Sequence, residues 1–405
     1  MHIVFISREY PPTLRGGGIA SYVRNMAEYY SQSGHQVTVV CASDDTRKES
    51  DISIDGIHVI RLSKGDFIIP AIEGNSVRKK FRCLYRFHSY RKRIKETILK
   101  LQDVDIIEVP EYGAESYYLH TQKIPVVIRL HNPSCLDMET LQKKKFQLKK
   151  FYSYWTSQQE ITALHKAQNI TSCSESLKKW STTHLQICPQ KIKVIHNPVN
   201  TAFWSYPPKS NENSSLDAFH ILYAGTISDK KGVGDLLNAC QILRNRNLNV
   251  TLSLAGKIGT YGLKLKTEMG TSKWCHFLGN VDRDILKDAY AKCDIACFPS
   301  WWESLSLVCI EAMACGCLVI GSKSGGMSEI INHGKDGFLI SPHSPEELSE
   351  CIYQCSILPI EKQIEIRKAA QNKIIQNFDI KQIAKEMLQY YKIIIEKSCN
   401  LSKDS

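Results

Sequence analysis

His2-Ile-Val-Phe-Ile-Ser7, Arg8-Glu-Tyr-Pro-Pro-Thr-Leu-Arg-Gly-Gly-Gly18 and Gln36-Val-Thr-Val-Val-Cys41, with a periodic stretch between the last two, decide the fold. The opening run is apolar and strand-sized. The segment after it carries paired prolines and three consecutive glycines, which no helix tolerates, so the chain turns there. Ile19, Val23, Met26, Ala27 and Tyr30 then recur on one helical face, Gly34 terminates that helix, and the run ending at Cys41 reads as a second buried strand. Strand, helix and strand make one βαβ unit. Further strand candidates at 57–62, 104–109, 126–130 and 192–196 lie far enough apart for crossover helices, which implies a parallel sheet covered by helices. The pattern restarts after Pro207-Pro208 and the polar stretch 209–217, the one plausible linker. Strands at 219–224, 250–255, 276–278, 295–299, 318–321 and 337–340 alternate there with helices at 233–243, 285–291, from Leu307 and near Met327. The reading is α/β: two Rossmann-like, doubly wound parallel-sheet domains at 1–208 and 209–360, with helices at 361–405 crossing back to brace the first. Two such sheets facing one another are expected to leave a ligand cleft between them.

Length and composition agree. A chain of 405 residues exceeds one ordinary core, and domains of roughly 150 residues imply two or three. Hydrophobic content of 43% and charged content of 23% belong to a folded globular chain. No run is long enough for a secretion signal or a membrane span. The 15 cysteines are scattered through apparent strands and helices, which favours reduced thiols in a cytoplasmic protein over a disulfide framework. Cys315-Gly-Cys317 lacks the spacer and the partner pair of a zinc site, so no metal is expected there.

Three segments carry candidate chemistry. Gly16-Gly-Gly18, between a strand and a helix start, lets backbone amides approach an anion, but Ala20 and Ser21 break the Gly-x-Gly-x-x-Gly pattern of nicotinamide enzymes. Tyr223-Ala-Gly-Thr-Ile-Ser-Asp-Lys-Lys-Gly232 places Lys230 and Lys231 at the next strand-to-helix junction, where cations beside free amides suit a diphosphate; two solvated loop lysines is the plainer reading of that segment alone. Phe298-Pro-Ser-Trp-Trp-Glu303-Ser-Leu-Ser-Leu-Val-Cys-Ile-Glu311 puts one carboxylate in a loop and the other inside the following helix. Val308, Ile310, Ala312 and Met313 surround Glu311, so it needs partners that donate hydrogen bonds, and sugar or ribose hydroxyls do so in pairs.

The ordered set of Pro11-Pro12 with Gly17-Gly18, Gly34-His35, His196-Asn-Pro-Val-Asn200, Gly225 with Lys231-Gly232, Glu303 with Glu311, and Gly325-Gly326-x-x-Glu329 resembles the family-four (group 1) retaining glycosyltransferases of the GT-B fold. The resemblance runs from Met1 to about Ser341. It implies a nucleotide diphosphate sugar as co-substrate, no other cofactor and no metal. It further implies that Gly17 and Gly18 line the phosphate side, that Lys231 contacts the leaving diphosphate with Lys230, Gly225 and Thr226 beside it, and that Glu303 holds the donor sugar's hydroxyls. The backbone of Leu305, Ser306 and Leu307 meets sugar and phosphate, Glu311 binds the ribose, and His131 sits near the reacting sugar. Read alone, His131 is a loop histidine. Three positions depart from the pattern: Thr226 stands where arginine is usual, Ser306 where glycine is usual, and Cys317-Leu318 replaces Gly-x-Pro.

The expected reaction is hexosyl transfer with retention, to a glycan or lipid-linked acceptor in polysaccharide or glycoconjugate assembly. A non-catalytic sugar-nucleotide or glycan-binding protein of the same fold is the alternative; an epimerase would need an acid and base pair that the sequence does not offer. The net charge of +11 is concentrated. Between Arg78 and Lys95 stand nine Lys or Arg and no acid, interleaved with Phe81, Tyr85, Phe87 and Tyr90, and 143–150 adds five lysines. A solvated face is the bland reading, and an anionic membrane surface suits the aromatic interleaving better than nucleic acid does. The chain is thus expected to sit peripherally at the inner face of a membrane.

Overall fold

The computed structural model describes residues 1–13, 16–45, 48–63, 65, 77–119, 123–137, 151–206, 218–270 and 272–403. The second lysine run, 143–150, and the linker 209–217 lie outside the described residues. The chain divides into two compact units, Met1–Pro198 with Ile380–Ser405, and Val199–Asp379.

The first unit runs β1 (His2–Ser7), α1 (Gly18–Gln32), β2 (Gln36–Ala42), β3 (Ser50–Ile54), β4 (Ile57–Leu62), α2 (Val77–Ile98), β5 (Ile106–Pro110), β6 (Val126–Leu130), α3 (Phe151–Lys166), β7 (Asn169–Ser172), α4 (Glu175–Leu185) and β8 (Ile192–Val194). Its eight strands lie in the order β3-β4-β2-β1-β5-β6-β7-β8. β1 pairs in parallel with β2 and β5, as the opening βαβ reading requires. The sheet is not wholly parallel, because β3 folds back on β4 as an antiparallel edge. That strand and the short β7 go beyond the sequence expectation.

The second unit runs α5 (Thr201–Trp204), β9 (Phe219–Ala224), α6 (Val233–Asn245), β10 (Val250–Ala255), α7 (Thr260–Met269), β11 (Cys275–Gly279), α8 (Arg283–Lys292), β12 (Ile295–Phe298), α9 (Leu307–Ala314), β13 (Leu318–Ser322), α10 (Met327–Ile330), β14 (Phe338–Ile340), α11 (Pro345–Ser356) and α12 (Ile360–Asn377). Its six strands are ordered β11-β10-β9-β12-β13-β14, and every pair is parallel. Each cysteine whose side chain is described is a free thiol, most of them buried in the cores. No described helix is long and apolar enough to cross a membrane.

The final helix, α13 (Ile380–Lys403), belongs to the first unit. Ile380, Ile383, Ala384, Met387, Tyr391 and Ile394 recur at helical spacing and enter the core formed by Phe5, Tyr22, Val23, Met26 and Tyr30. Tyr30 Oη donates to the Ala384 carbonyl at 3.3 Å, and Tyr391 Oη donates to the buried Glu108 on β5. The stretch 361–405 is therefore divided: α12 stays with the second unit, and only α13 returns. The first boundary falls at 198, ahead of the expected 208, because Val199 already bridges Asp379 and takes the Phe378 carbonyl at 2.8 Å.

Met387 is fully buried, whereas Ile393 is 47% exposed. Met387→Ala is expected to cost about 2–5 kcal/mol, and Ile393→Ala to stay within about 0.5 kcal/mol, in denaturant unfolding followed on the first unit.

Candidate active site

In the second unit the chain steps from β9 outward to β10 and β11, then returns to lay β12 on the other flank of β9. Ligands of open parallel sheets bind beyond the strand ends at such a reversal, where loops on the two sides diverge. The turn after β9 supplies Gly225, Thr226, Lys230 and Lys231; the loop after β12 supplies Glu303, Leu305 and Ser306, then enters α9 at Leu307, with Glu311 inside that helix.

Lys231 Nζ donates to Glu303 Oε2 at 2.5 Å, and Ser300 Oγ donates to the same oxygen at 3.3 Å. The two charged side chains are 35% and 17% exposed, so the pair adds on the order of 1 kcal/mol or less to stability. Its meaning is positional: a cation and a carboxylate from opposite sides of the reversal are held together at its mouth. Two glycines make that possible. Gly232 has φ +67°, and a Cβ there would stand 2.0 Å from the Pro299 carbonyl oxygen. Gly325 has φ +58°, and its Cβ would stand 2.0 Å from the Glu303 oxygen, which also accepts the Gly326 amide at 2.8 Å. The Lys-Gly and Gly-Gly elements are thus places where one backbone lies directly on another.

Lys230 and Lys231 play different parts. The Lys230 side chain is exposed while its carbonyl accepts the Trp301 amide at 2.9 Å, and it is Lys231 that reaches Glu303. Thr226 is exposed, with its carbonyl held by the Tyr223 hydroxyl at 2.8 Å. Leu305, Ser306 and Leu307 are buried, and Ser306 is the N-cap of α9 without a side-chain capping bond. Glu311 keeps part of its surface at solvent, yet the protein around it lifts its carboxyl to about 8, with the Arg283 charge opposing that rise.

In the first unit the reversal lies between β1 and β5. Gly17 is the extended N-cap of α1 and Gly18 its first residue, both exposed. His131 follows β6 and packs edge-on against Tyr22 of α1, ring centroids 4.9 Å apart. Burial and the Arg129 charge hold its imidazole well below the ordinary histidine range, hence neutral at physiological pH. The structure thus brings Gly17, Gly18 and His131 to one sheet end of the first unit, and the remaining candidates to one sheet end of the second.

The sequence reading missed the carboxylates that hold the His131 loop. Glu111, the first residue after β5, accepts the His131 amide at 2.9 Å and the Asn132 amide at 2.5 Å. Glu160 of α3 accepts the Gly113 amide at 2.7 Å and Ser134 through amide and hydroxyl at 2.8 and 2.6 Å. The available signal was an acidic residue ending a buried strand. Desolvation raises Glu111 to about 8 against its hydrogen bonds, so the folded state binds its proton more tightly than the unfolded chain does. This group's contribution to stability is therefore full below about 4.5 and is lost as pH rises through about 8. Glu111→Gln should therefore flatten the fall of unfolding free energy between pH 5 and 8, by up to about 1.4 kcal/mol per pH unit, in urea titrations at stepped pH.

Comparison with known proteins follows the same division. The family model Glycosyltransferase Family 4 matches residues 16–203, and Glycosyl transferases group 1 matches 208–373. An uncharacterized glycosyltransferase of Methanocaldococcus jannaschii is 26% identical over 98% of this chain and 99% of its own. Sucrose-phosphate synthase from Thermosynechococcus elongatus shares the fold with a TM-score of 0.80 at 21% identity, covering 98% of this chain and 99% of that one. Anabaena HepE, solved with UDP-glucose, does so at 0.71 and 20%, covering 97% and 99%. With one family model on each half and a relative matching end to end, the chain belongs to the group 1 glycosyltransferases, built on the paired Rossmann-like domains of the GT-B fold.

Proposed function

We propose that the protein moves a hexosyl group from a nucleoside diphosphate sugar to a glycan or lipid-linked acceptor, with retention and without a metal ion. The observation that carries the reading is the Lys231–Glu303 pair, held at 2.5 Å where the second sheet reverses. In the transfer, the bond between the sugar's anomeric carbon and the diphosphate oxygen breaks, and the diphosphate leaves with the electron pair. The acceptor hydroxyl bonds to that carbon on the same face, and its proton passes to a departing phosphate oxygen. Negative charge grows on the bridging oxygen, and a fixed ammonium there stabilises the transition state more than the ground state. Lys231 fills that role, Glu303 accepts the sugar's hydroxyls, and the free amides at the start of α9 take phosphate oxygens. The family resemblance assigns His131 to the reacting sugar, a role in which its neutral imidazole would act as a hydrogen-bond partner. Uridine diphosphate sugars are the first donors to test, since Anabaena HepE was solved with UDP-glucose.

Glu311 gives the reading a pH signature. An ionised carboxylate accepts both ribose hydroxyls, and a proton on it removes one acceptor. With its carboxyl at about 8, donor affinity should tighten as pH rises from 7 to 9, and Glu311→Gln should abolish that dependence in calorimetric titrations. Thr226 stands where the family usually has arginine, so Lys231→Ala should lower nucleoside diphosphate release by about 100 to 1000-fold, a chelator leaving the wild-type rate intact. A wild-type rate in Lys231→Ala would withdraw the assignment. Donor binding without diphosphate release at any acceptor would favour the non-catalytic alternative.

We further propose that α2 rests on an anionic membrane surface at the inner face of a membrane. The residues that support this reading are those on the outward face of α2. Phe87, Tyr90, Arg91, Ile94 and Ile98 are buried, and Arg91, 2% exposed, spends its guanidinium on the Gly113 carbonyl at 3.1 and 2.6 Å. The outward stripe holds Phe81, 68% exposed, Tyr85, 72% exposed, and then His88 and Lys92. Replacing Phe81, Tyr85 and Lys92 together by serine should weaken binding to phosphatidylserine vesicles several-fold, with unchanged diphosphate release. Equal binding of the wild type to neutral vesicles would remove the anionic surface from the reading, and binding to neither would return the stripe to a solvated face.

A further inference from the structure

Trp301 makes more connections across the second unit's site than either charged residue there. Its amide donates to the Lys230 carbonyl at 2.9 Å, and its own carbonyl accepts Ser324 Oγ at 2.7 Å. Its indole Nε1–H donates to Asp235 Oδ2 at 2.8 Å. Its ring lies against His343, with centroids 4.2 Å apart and planes 34° apart. Trp301, which follows β12, is thereby joined to segments after three other strands: Lys230 and Asp235 come after β9, Ser324 after β13 and His343 after β14. Asp235 stands in the first turn of α6, where the helix amides favour a negative charge, so it is a strong acceptor at a fixed place. The His343 ring, covering one face of the indole, limits how the ring can turn about that bond.

We infer that Trp301 is the positioning residue that sets the distance between Lys231 and Glu303. Lys231 lies four residues before Asp235, and Glu303 lies two residues after Trp301, so the indole bond ties the segment bearing the cation to the segment bearing the carboxylate. A flexible lysine and a partly exposed glutamate do not set their own spacing through an ion pair that contributes so little. A hydrogen bond between their supporting segments, made by an indole whose ring lies against His343, can, and charge stabilisation of a leaving group depends on that spacing. The role rests on the reading of Lys231 and Glu303 given above.

The test separates placement from folding. Trp301→Phe keeps the ring against His343 and removes the N–H; Asp235→Leu removes the acceptor; Asp235→Asn keeps an oxygen in its place. Diphosphate release is measured with UDP-glucose, or with whichever of the UDP, GDP and ADP sugars the wild type turns over, alongside thermal unfolding of each variant. Trp301→Phe is expected to lower kcat about tenfold or more with donor KM within twofold, the pattern of a displaced electrostatic group. Asp235→Leu should match it, the double variant should be no worse than either, and Asp235→Asn should recover most of the rate. A wild-type kcat in Trp301→Phe, or additive losses in the double variant, overturns the inference. So does a loss that follows the fall in melting temperature and is not recovered by Asp235→Asn. Lys231→Ala and Glu303→Ala run in parallel: if both keep the wild-type rate, it is the reading of the site that fails.

Discussion

Much of the second unit depends on one steric constraint, the contact of backbone with backbone at the reversal of its sheet. The carbonyls of Pro299 and Glu303 occupy the space that side chains at 232 and 325 would need. Neither approach survives a Cβ without moving a main-chain atom, because the oxygen that blocks it belongs to a loop anchored by β12. The constraint acts before any charge is considered. It forces the segments after β9, β12 and β13 into one layer, and Lys231, Glu303 and the N-terminus of α9 arrive together as a result. The salt bridge reports that arrangement and contributes little to holding it.

The first unit solves a different problem. Its site end is lined with buried ionisable groups: Arg8, Arg91, Glu111, Glu115 and Glu160 are all nearly inaccessible, and burial raises the three carboxyls. Burying charges is unfavourable unless each is paired or hydrogen-bonded. Arg8 pairs with Glu115, and main-chain groups serve the others. Gly113 gives its amide to Glu160 and its carbonyl to Arg91, and the His131 and Asn132 amides go to Glu111. Loops that would otherwise move are thereby tied to α2 and α3, which rigidifies the surroundings of His131 while leaving its imidazole uncharged.

How much of this was legible in the sequence depended on whether the responsible force leaves a periodic trace. Apolar runs and helical stripes gave β1, β2, β9, β10, β13 and α1 nearly to the residue. The edge strand Ser50-Asp-Ile-Ser-Ile54 escaped because it is short and buries no residue, and β7 because Asn169-Ile-Thr-Ser172 holds a single large apolar residue. Helix α7 buries only Gly262, so it shows no stripe. The motif residues Lys231, Glu303 and Glu311 stood out because their spacing is fixed by a turn and a helix. Glu111, Glu160, Trp301 and Asp235 did not, because their partners are distant in the chain and many are backbone atoms, which no sequence pattern records. The basic helix shows the opposite error. Nine cations look alike in a string, and only the fold shows that Arg91 faces inward.

The return of α13 to the first unit also governs the order in which the chain can mature on the ribosome. The first unit's strands are complete once Val194 has been made, but the helix that covers their core begins at Ile380. At roughly 5–20 residues per second, that interval lasts on the order of ten to forty seconds. Throughout it, Tyr22, Met26 and Tyr30 lack the apolar face that buries them, while the second unit, continuous in the chain, can close as soon as it emerges. The nascent protein therefore acquires its halves in reverse of the usual amino-to-carboxyl order. A premature stop within the last helix would leave the earliest-made half unfinished and sticky, and chaperone capture is the natural safeguard for it.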